Sequence, residues 1–302
     1  MTSENPLITE RQNEHTLDID SLSSTEILHR INAEDRKVAP AVGETIPEIA
    51  QAVELVVTAL KAGGRLFYVG AGTSGRLGVL DAAECPPTFR SDPEQVQGII
   101  AGGREALVRS IEGAEDFPED GAKALQEYQV SQGDVVCGIA TSGKTPFVLG
   151  ALHAAREAGI PTIAIMCNPG DSLEVSAEVL INPVVGPEVV TGSTRMKAGT
   201  ATKLVLNMIT TTAMIRLGKV YGNLMVDLTA VNQKLVDRAQ RIVMQVTGVD
   251  RETAEQILVK AKYRVKNAIL MSLRDIGYDE SDRLLRKHKG YLRDAVDELT
   301  RS

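Results

Sequence analysis

Short apolar runs alternate with amphipathic segments through the middle of the chain. The apolar runs have the length of buried strands and cover residues 65–69, 96–101, 134–140, 161–166 and 178–182. Helical spacing is found at 46–60, 76–84, 104–112, 119–129 and 146–158. Continuous apolar strands that alternate with helices indicate a parallel sheet covered on both faces. The predicted fold class is therefore α/β, with a doubly wound parallel sheet.

The two ends of the chain lack this alternation. Residues 1–43 are polar and are interpreted as an N-terminal arm, which is either disordered or wraps a neighbouring subunit. Long helices are predicted at 195–216 and 228–246. A weak repeat then begins at Gly248 and again at Gly277, each unit comprising a turn, a capped helix and a second helix. The predicted domains are the arm at 1–43, a main domain at 44–225 and a small all-helical C-terminal region at 226–302.

A glycine-rich turn follows the first apolar run. Residues 70–76 read GAGTSGR, and a helical pattern follows them. Glycines let the backbone approach a ligand, and the unpaired N–H groups of a helix N-terminus face it. Thr73 and Ser74 add hydroxyl donors, so the expected ligand carries a phosphate. The G-x-G-x-x-G spacing also fits dinucleotide binding, but no acidic residue ends a second strand about 20 residues later. A plain tight turn is the other alternative.

A second hydroxyl-rich turn follows the third apolar run. Residues 141–145 read TSGKT and precede a helical pattern that starts at Pro146. A helix cap formed by Thr145, with proline in the first turn, explains only the end of this segment. It does not explain Thr141, Ser142 and Lys144 together. Since the carboxyl ends of parallel strands form one edge of a sheet, we expect both turns to hold one phosphate, and hydroxyls suit a sugar monophosphate better than a nucleoside triphosphate with magnesium.

Composition narrows the possible functions. The 302 residues carry a formal net charge of −7 and no tryptophan, which disfavours nucleic-acid binding. No apolar run reaches about 18 residues, so no membrane span is expected, and the first residues lack a secretion-signal pattern. Three cysteines without Cys-x-x-Cys spacing suit a reducing compartment, and four histidines lack metal-ligand spacing. We expect a cytoplasmic protein without a metal site.

Four further segments, together with the two turns, carry a family resemblance. Both turns resemble those of the sugar isomerase domain, which binds phosphosugars. Residues 187–203, PEVVTGSTRMKAGTATK, are similar to the signature shared by glucokinase regulatory protein and the N-acetylmuramic acid 6-phosphate etherase family. Residues 7–13, 81–89 and 111–116 resemble the etherase family itself. The resemblance covers nearly the whole chain, whereas a regulatory protein of this kind would carry two tandem sugar domains.

The resemblance implies a specific reaction. Members of the etherase family remove D-lactate from carbon 3 of N-acetylmuramic acid 6-phosphate and leave N-acetylglucosamine 6-phosphate, a step in the recycling of cell-wall sugars. The implied route is β-elimination from the ring-opened aldehyde, followed by addition of water. A carboxylate can take the proton on carbon 2, which the aldehyde acidifies, and a protonated carboxyl can donate to the leaving ether oxygen. Two carboxyl groups in different environments therefore suffice for this reaction, and no metal or other cofactor is expected.

Glu84 and Glu115 match the family's catalytic pair. Glu84 is expected to end a half-buried helix, where low polarity would keep it protonated as the proton donor. The roles of acid and base could be shared or reversed. Spacing alone favours a solvated helix-end glutamate for Glu84 and an acidic surface cluster for Glu115, so only the resemblance singles them out.

The signature segment adds further candidates for the sugar hydroxyls, the lactyl carboxylate or a partner subunit: Glu188, Ser193, Arg195 and Lys197. The alternative for this segment is capping of the long helix by Ser193 or Thr194. Lys234 either reaches the site or lies on a helix surface. Because a sugar isomerase domain typically completes its site with a neighbouring subunit, the resemblance also implies a homodimer.

Two other functions compete with the etherase. A non-catalytic phosphosugar-binding regulator is the second hypothesis, and it would not need Glu84 and Glu115. A sugar-phosphate isomerase is the third, and it would move a proton between two carbons while leaving the ether intact. The presence of both glutamates in matching motifs favours the etherase.

Overall fold

A computed structural model describes residues 7–170, 175–228 and 233–298 of the chain. It divides into two compact units. The first comprises Met1–Ala83 with Glu94–Thr210, and the second comprises Glu84–Pro93 with Thr211–Ser302. The first six residues of the predicted arm lie outside the described residues.

Five parallel strands form the sheet of the first unit. They are β1 (Leu66–Gly70), β2 (Val96–Ile100), β3 (Val135–Ile139), β4 (Thr162–Ile165) and β5 (Val179–Ile181). The strand order is β2-β1-β3-β4-β5, and every pairing is parallel. Both β1 and β3 are buried along their whole length, as strands covered on both faces require. The predicted α/β fold and the five predicted strands are confirmed. From β1 the chain adds β2 on one side of the sheet, and from β3 it adds β4 and β5 on the other side. The topological switch point therefore lies between β1 and β3, and ligands bind at such points.

Among the described residues of the first unit, seven α-helices begin. They are α1 (Ser24–Asp35), α2 (Val38–Gly43), α3 (Ile46–Lys61), α4 (Gly72–Phe89), α5 (Pro118–Glu127), α6 (Pro146–Glu157) and α7 (Lys197–Arg216). The predicted helix at 104–112 is wrong, since only a 3₁₀ helix at Gly103–Leu107 forms there. It is preceded by Gly102, and both glycines have positive φ angles of 80° and 68°. Backbone freedom of this kind opposes nucleation of an α-helix.

Helix α4 is longer at both ends than the pattern at 76–84 predicts. It begins inside the glycine-rich turn and continues through Pro86 and Pro87. These prolines remove only the hydrogen bonds to the carbonyl oxygens of Ala82 and Ala83. Glu84 therefore lies within the helix and not at its end.

The N-terminal arm is folded against the first unit over its described residues. Helix α1 begins with a capping box in which Ser23 and Glu26 satisfy each other's backbone N–H groups. Ahead of it, the side-chain amide of Asn13 donates to the carbonyl oxygen of Pro187 at 3.2 Å, and the hydroxyl of Thr16 donates to that of Val189 at 3.0 Å. The arm therefore contacts the signature segment of the same chain.

The described helices of the second unit pack around an apolar cluster. They are α8 (Gln233–Thr247), α9 (Arg251–Lys260), α10 (Val265–Arg274), α11 (Tyr278–Lys287) and α12 (Leu292–Glu298). Residues 229–232 of the predicted helix at 228–246 lie outside the described residues. The two repeat units differ in their caps, because Asp250 accepts from the backbone of Thr253 whereas Gly277 has no capping side chain. Among the described helices, none is long and apolar enough to cross a membrane.

Candidate functional site

The first glycine-rich turn leads directly into α4. Thr73 and Ser74 are the second and third residues of this helix, so their backbone N–H groups lack helical acceptors. Gly70 and Gly75 are required by their close approach, since a Cβ on Gly70 would lie 2.6 Å from the backbone nitrogen of Gly75. Gly72 has a φ angle of 51°, which favours glycine. The turn thus places the positive end of α4 at the carboxyl end of β1.

The second turn leads from β3 into α6. The hydroxyl oxygen of Ser142 accepts from the backbone N–H of Lys144 at 3.2 Å, which leaves its proton available to a ligand. Thr145 occupies the N-cap position, but its side chain makes no capping hydrogen bond, so the predicted capping role is wrong. The fixed φ of Pro146 in the first turn already favours the helix. The hydroxyl of Thr145 is therefore not committed to the helix.

Asn168 holds the second turn in place. It is fully buried just beyond β4, and its side-chain amide donates to the carbonyl oxygens of Thr141 at 3.0 Å and Ser142 at 3.3 Å. The same amide donates to the hydroxyl of Thr9 at 3.2 Å, and its carbonyl oxygen accepts from the backbone of Thr9. Sequence reasoning missed Asn168, although its place at the carboxyl end of a strand could have indicated it.

The beginning of α7 lies beside both turns. Cys167 donates from its backbone N–H to the carbonyl oxygen of Thr141 at 3.0 Å, and its thiol lies 3.8 Å from the carbonyl oxygen of Ala198. Burial raises the pKa of Cys167 to about 12, so the thiol stays protonated. One residue further along α7, a Cβ on Gly199 would lie 3.5 Å from Cγ2 of Thr73. The N-terminal ends of α4, α6 and α7 are therefore gathered at one edge of the sheet, as in an anion site.

Glu188 caps α7. Its side chain is fully buried, and its two oxygens accept from the backbone N–H groups of Lys197 at 3.0 Å and Ala198 at 2.9 Å. Burial raises the pKa of Glu188, while these two hydrogen bonds oppose the rise. The predicted cap by Ser193 or Thr194 is wrong, because Glu188 already supplies it from outside the turn. Its carboxylate holds the helix that borders both turns.

A buried ion pair joins the arm to the same helix. Nζ of Lys197 lies 2.6 Å from Oε2 of Glu34, and both side chains are almost completely buried. Oε1 of Glu34 also pairs with Lys37 at 2.6 Å. Burial opposes ionisation of Glu34, but the hydrogen bonds from the two lysines outweigh it and lower its pKa to about 2. Lys197 therefore serves to fix the arm, and its ammonium is engaged inside the chain.

Glu115 lies close to the second turn. Its carbonyl oxygen accepts from the backbone N–H of Phe147, the second residue of α6, at 3.0 Å. Glycines allow α5 and α6 to approach closely, since a Cβ on Gly121 would lie 1.9 Å from the carbonyl oxygen of Phe147. The loop before α5 is thereby held against the beginning of α6. The side chain of Glu115 is exposed, so its carboxylate is accessible to a ligand.

Glu84 is exposed within α4 and belongs to the second unit. The described residues of this chain therefore do not give Glu84 the low-polarity environment that the sequence predicted. One turn earlier, the carboxylate of Asp81 accepts from the hydroxyls of Tyr68 at 3.0 Å and Thr210 at 3.2 Å. Burial raises the pKa of Asp81, and these two hydrogen bonds oppose it. This network fixes α4 against β1 and α7.

For the remaining candidate residues, the structure gives a location and a degree of exposure. Ser193 and Arg195 lie in the turn before α7, with Ser193 half-buried and Arg195 exposed. Lys144 is exposed in the second turn. Lys234 is exposed as the second residue of α8, in the second unit. Their contacts with a substrate stay predictions.

A doubly wound parallel sheet with two hydroxyl-rich turns at its switch point defines the sugar isomerase class of phosphosugar-binding folds. Residues 48–156 match the glucokinase regulatory protein N-terminal SIS domain, and residues 222–283 match the C-terminal lid domain of glucokinase regulatory protein. The chain belongs to the N-acetylmuramic acid 6-phosphate etherase family, which confirms the predicted resemblance.

Two curated relatives show this membership. The chain is 59% identical to the N-acetylmuramic acid 6-phosphate etherase of Salinibacter ruber, over 96% of this chain and 94% of the relative. It is 56% identical to that of Yersinia pestis, over 96% of this chain and 98% of the relative. Among solved structures, a phosphoheptose isomerase from Neisseria gonorrhoeae aligns with a TM-score of 0.48 and 21% identity, over 63% of this chain and 97% of that chain.

Proposed function

We propose that this chain is a carbon–oxygen lyase that cleaves the D-lactyl ether of N-acetylmuramic acid 6-phosphate, giving N-acetylglucosamine 6-phosphate and D-lactate. The observation that carries the proposal is 59% identity with a curated etherase over 96% of the chain. The site supports it, since an exposed carboxylate, Glu115, lies next to a turn suited to phosphate. A non-catalytic regulator would have no need of that carboxylate and is less supported.

The two turns bind the 6-phosphate in this mechanism. The hydroxyls of Ser74, Ser142 and Thr145 donate to its oxygens, with Thr73 and Lys144 as further donors. The N-terminal ends of α4 and α6 add backbone N–H groups and positive potential. Anchoring the phosphate fixes the opened sugar, so that carbons 2 and 3 are presented to the carboxyl groups.

Glu115 and Glu84 carry the proton transfers. Glu115 removes the proton from carbon 2, and the electron pair forms the double bond to carbon 3 as the lactyl C–O bond breaks. Glu84 donates a proton to the departing ether oxygen, so that lactate leaves as the hydroxy acid. Water then adds at carbon 3, carbon 2 is reprotonated, and the two carboxyl groups return to their initial states. No metal or redox cofactor enters this sequence.

We propose that the working enzyme is a cytoplasmic homodimer with shared sites. Glu84 is exposed on its own chain, so its carboxyl group is accessible to a second subunit. In this proposal Glu84 acts on a phosphosugar held by the turns of the partner subunit. Glu115, tethered beside the second turn, acts on the sugar held by its own chain.

The phosphate turns give the first prediction. Ser74→Ala and Ser142→Ala should each weaken substrate binding by roughly 1–3 kcal/mol, because a charge-assisted hydrogen bond to phosphate is lost. Calorimetric titration of each variant with the phosphorylated sugar measures this loss. The matched control is the same sugar without its 6-phosphate, for which no loss is expected. Equal losses on both sugars would show that the turns shape the fold instead.

The order of the chemical steps gives the second prediction. If elimination precedes addition of water, product formed in heavy water carries deuterium at carbon 2. Because the bond breaks on the sugar side, turnover in oxygen-18 water labels carbon 3 of the sugar and leaves lactate unlabelled. Mass spectrometry of both products measures the two labels. Oxygen-18 in the lactate, without deuterium at carbon 2, would rule out elimination.

A further inference from the structure

A cavity of about 400 Å³ opens within the second unit, and none of its lining residues belongs to the first. Five cationic side chains line it: Arg90, Arg264, Lys266, Arg286 and Lys289. The carboxylates in the lining are Asp227 and Asp282. The lining therefore carries an excess of three positive charges.

The two carboxylates are already shared between several cations. Asp227 lies 2.7 Å from Nζ of Lys266 and 3.4 Å from Nζ of Lys219. Asp282 pairs with Arg286 and lies 3.8 Å from Arg264. Within the described ranges, no carboxylate lies at ion-pair distance from Arg90 or Lys289. The cavity thus holds more positive charge than its own acidic groups neutralise.

Two of these cationic residues lie at the N-terminus of a helix, where the helix dipole disfavours positive charge. Arg264 is the N-cap residue of α10 and Lys266 is its second residue, at the positive end of the helix. No side chain caps α10, so the N–H groups of its first turn are open to an acceptor. Arg90 and Lys289 follow the carboxyl ends of α4 and α11, which favour cations. Helix dipoles therefore explain the positions of Arg90 and Lys289 but not those of Arg264 and Lys266.

Lys266 is also buried, with only 7% of its surface exposed. Burial lowers its pKa, Asp227 opposes this shift, and the positive charge of Arg90 adds to it. Its Nζ donates to Asp227 and to the carbonyl oxygen of Gly290 at 2.8 Å. A bound anion would offset the repulsion between these cations.

We propose that this cavity is a binding site for a small phosphate-bearing metabolite, separate from the phosphate turns. The phosphate would accept from the first-turn N–H groups of α10 and neutralise the charge of Arg90 and Lys289. The cavity volume lies within the ~300–1,000 Å³ range of small-molecule sites. This inference stands independently of the proposed catalytic function.

Inorganic pyrophosphate is a suitable probe, titrated calorimetrically into the full chain carrying Ser74→Ala and Ser142→Ala, which weaken the catalytic phosphate turns. We expect saturable binding in that background. Adding Arg90→Gln or Lys289→Gln should weaken it about tenfold or more, because each removes a charged contact. Both side chains are exposed, so neither change disturbs the core. Lys260→Gln, which removes an exposed charge of the same sign outside the cavity, should leave binding unchanged.

Hydrogen exchange on the unsubstituted chain provides a second measurement. Pyrophosphate should slow exchange of the backbone amides at residues 265–267. Binding that Arg90→Gln and Lys289→Gln leave intact, or that Lys260→Gln weakens equally, would overturn the proposal. So would the absence of both binding and protection. Neither measurement depends on lactate release. A failure of this proposal and a failure of the proposed catalytic function can therefore be distinguished.

Discussion

Glu84→Gln should lower the rate of lactate release by about 10²–10⁴-fold while phosphosugar binding persists. Glutamine keeps the shape of the side chain but can neither give nor accept the proton. Glu115→Gln should have an effect of similar size, since it removes the base. Chromatographic assay of lactate at saturating substrate measures both losses, and calorimetry checks that binding is retained.

The loop that carries Glu115 also provides a matched control. Glu112 lies three residues before Glu115 and is likewise exposed, so Glu112→Gln makes the same chemical change without touching the proposed chemistry. It should retain nearly full activity. A Glu84→Gln or Glu115→Gln enzyme that kept more than about half of the normal rate would exclude the assigned role.

Mixing the two inactive variants tests whether sites are shared between subunits. If Glu84 acts in the partner's site, each mixed dimer contains one intact site and one doubly altered site. Random mixing should then restore about a quarter of normal activity in a two-fold symmetric dimer. If both glutamates act within one subunit, every site in a mixed dimer lacks one of them. No activity would return in that case.

The sheet could be predicted because its signal is local. Strands such as β1 and β3 are buried on both faces, so they appear in the sequence as unbroken apolar runs. The turns that follow them carry their own signature of glycine and hydroxyl residues. Helix ends were less accurate, since α4 extends through Pro86 and Pro87 where a local rule predicts a stop.

The contacts that position the site are not local and could not be predicted in this way. Asn168 reaches Thr9 across 159 positions of sequence, and Glu34 reaches Lys197 across 163. Glu188 caps a helix from nine residues before it, further than any common capping motif. Such partners are brought together only by the fold. Periodicity and spacing therefore indicate the turns themselves but not the residues that hold them.

Lys197→Met should destabilise the protein by roughly 3–5 kcal/mol, because it leaves the buried carboxylate of Glu34 without its closest buried partner. Methionine keeps the length of the side chain, so the lost charge pair and not a cavity dominates the change. Urea unfolding followed by circular dichroism measures the loss. Lys61→Met, which changes an exposed lysine of α3 in the same unit, is the matched control and should change stability little.

The double variant Glu34→Gln with Lys197→Met should be more stable than Lys197→Met alone, since Glu34 then no longer buries a charge that only the half-exposed Lys37 neutralises. The pH dependence has a defined direction. The pKa of Glu34 is about 2 in the folded chain against an ordinary value of 4.5, so its contribution is complete above pH 4.5 and lost as the pH falls towards 2. Lys197→Met should weaken this acid dependence, because the pKa of Glu34 rises when the lysine is removed. If the single and double variants were equally unstable, the ion pair would not be what fixes the arm to α7.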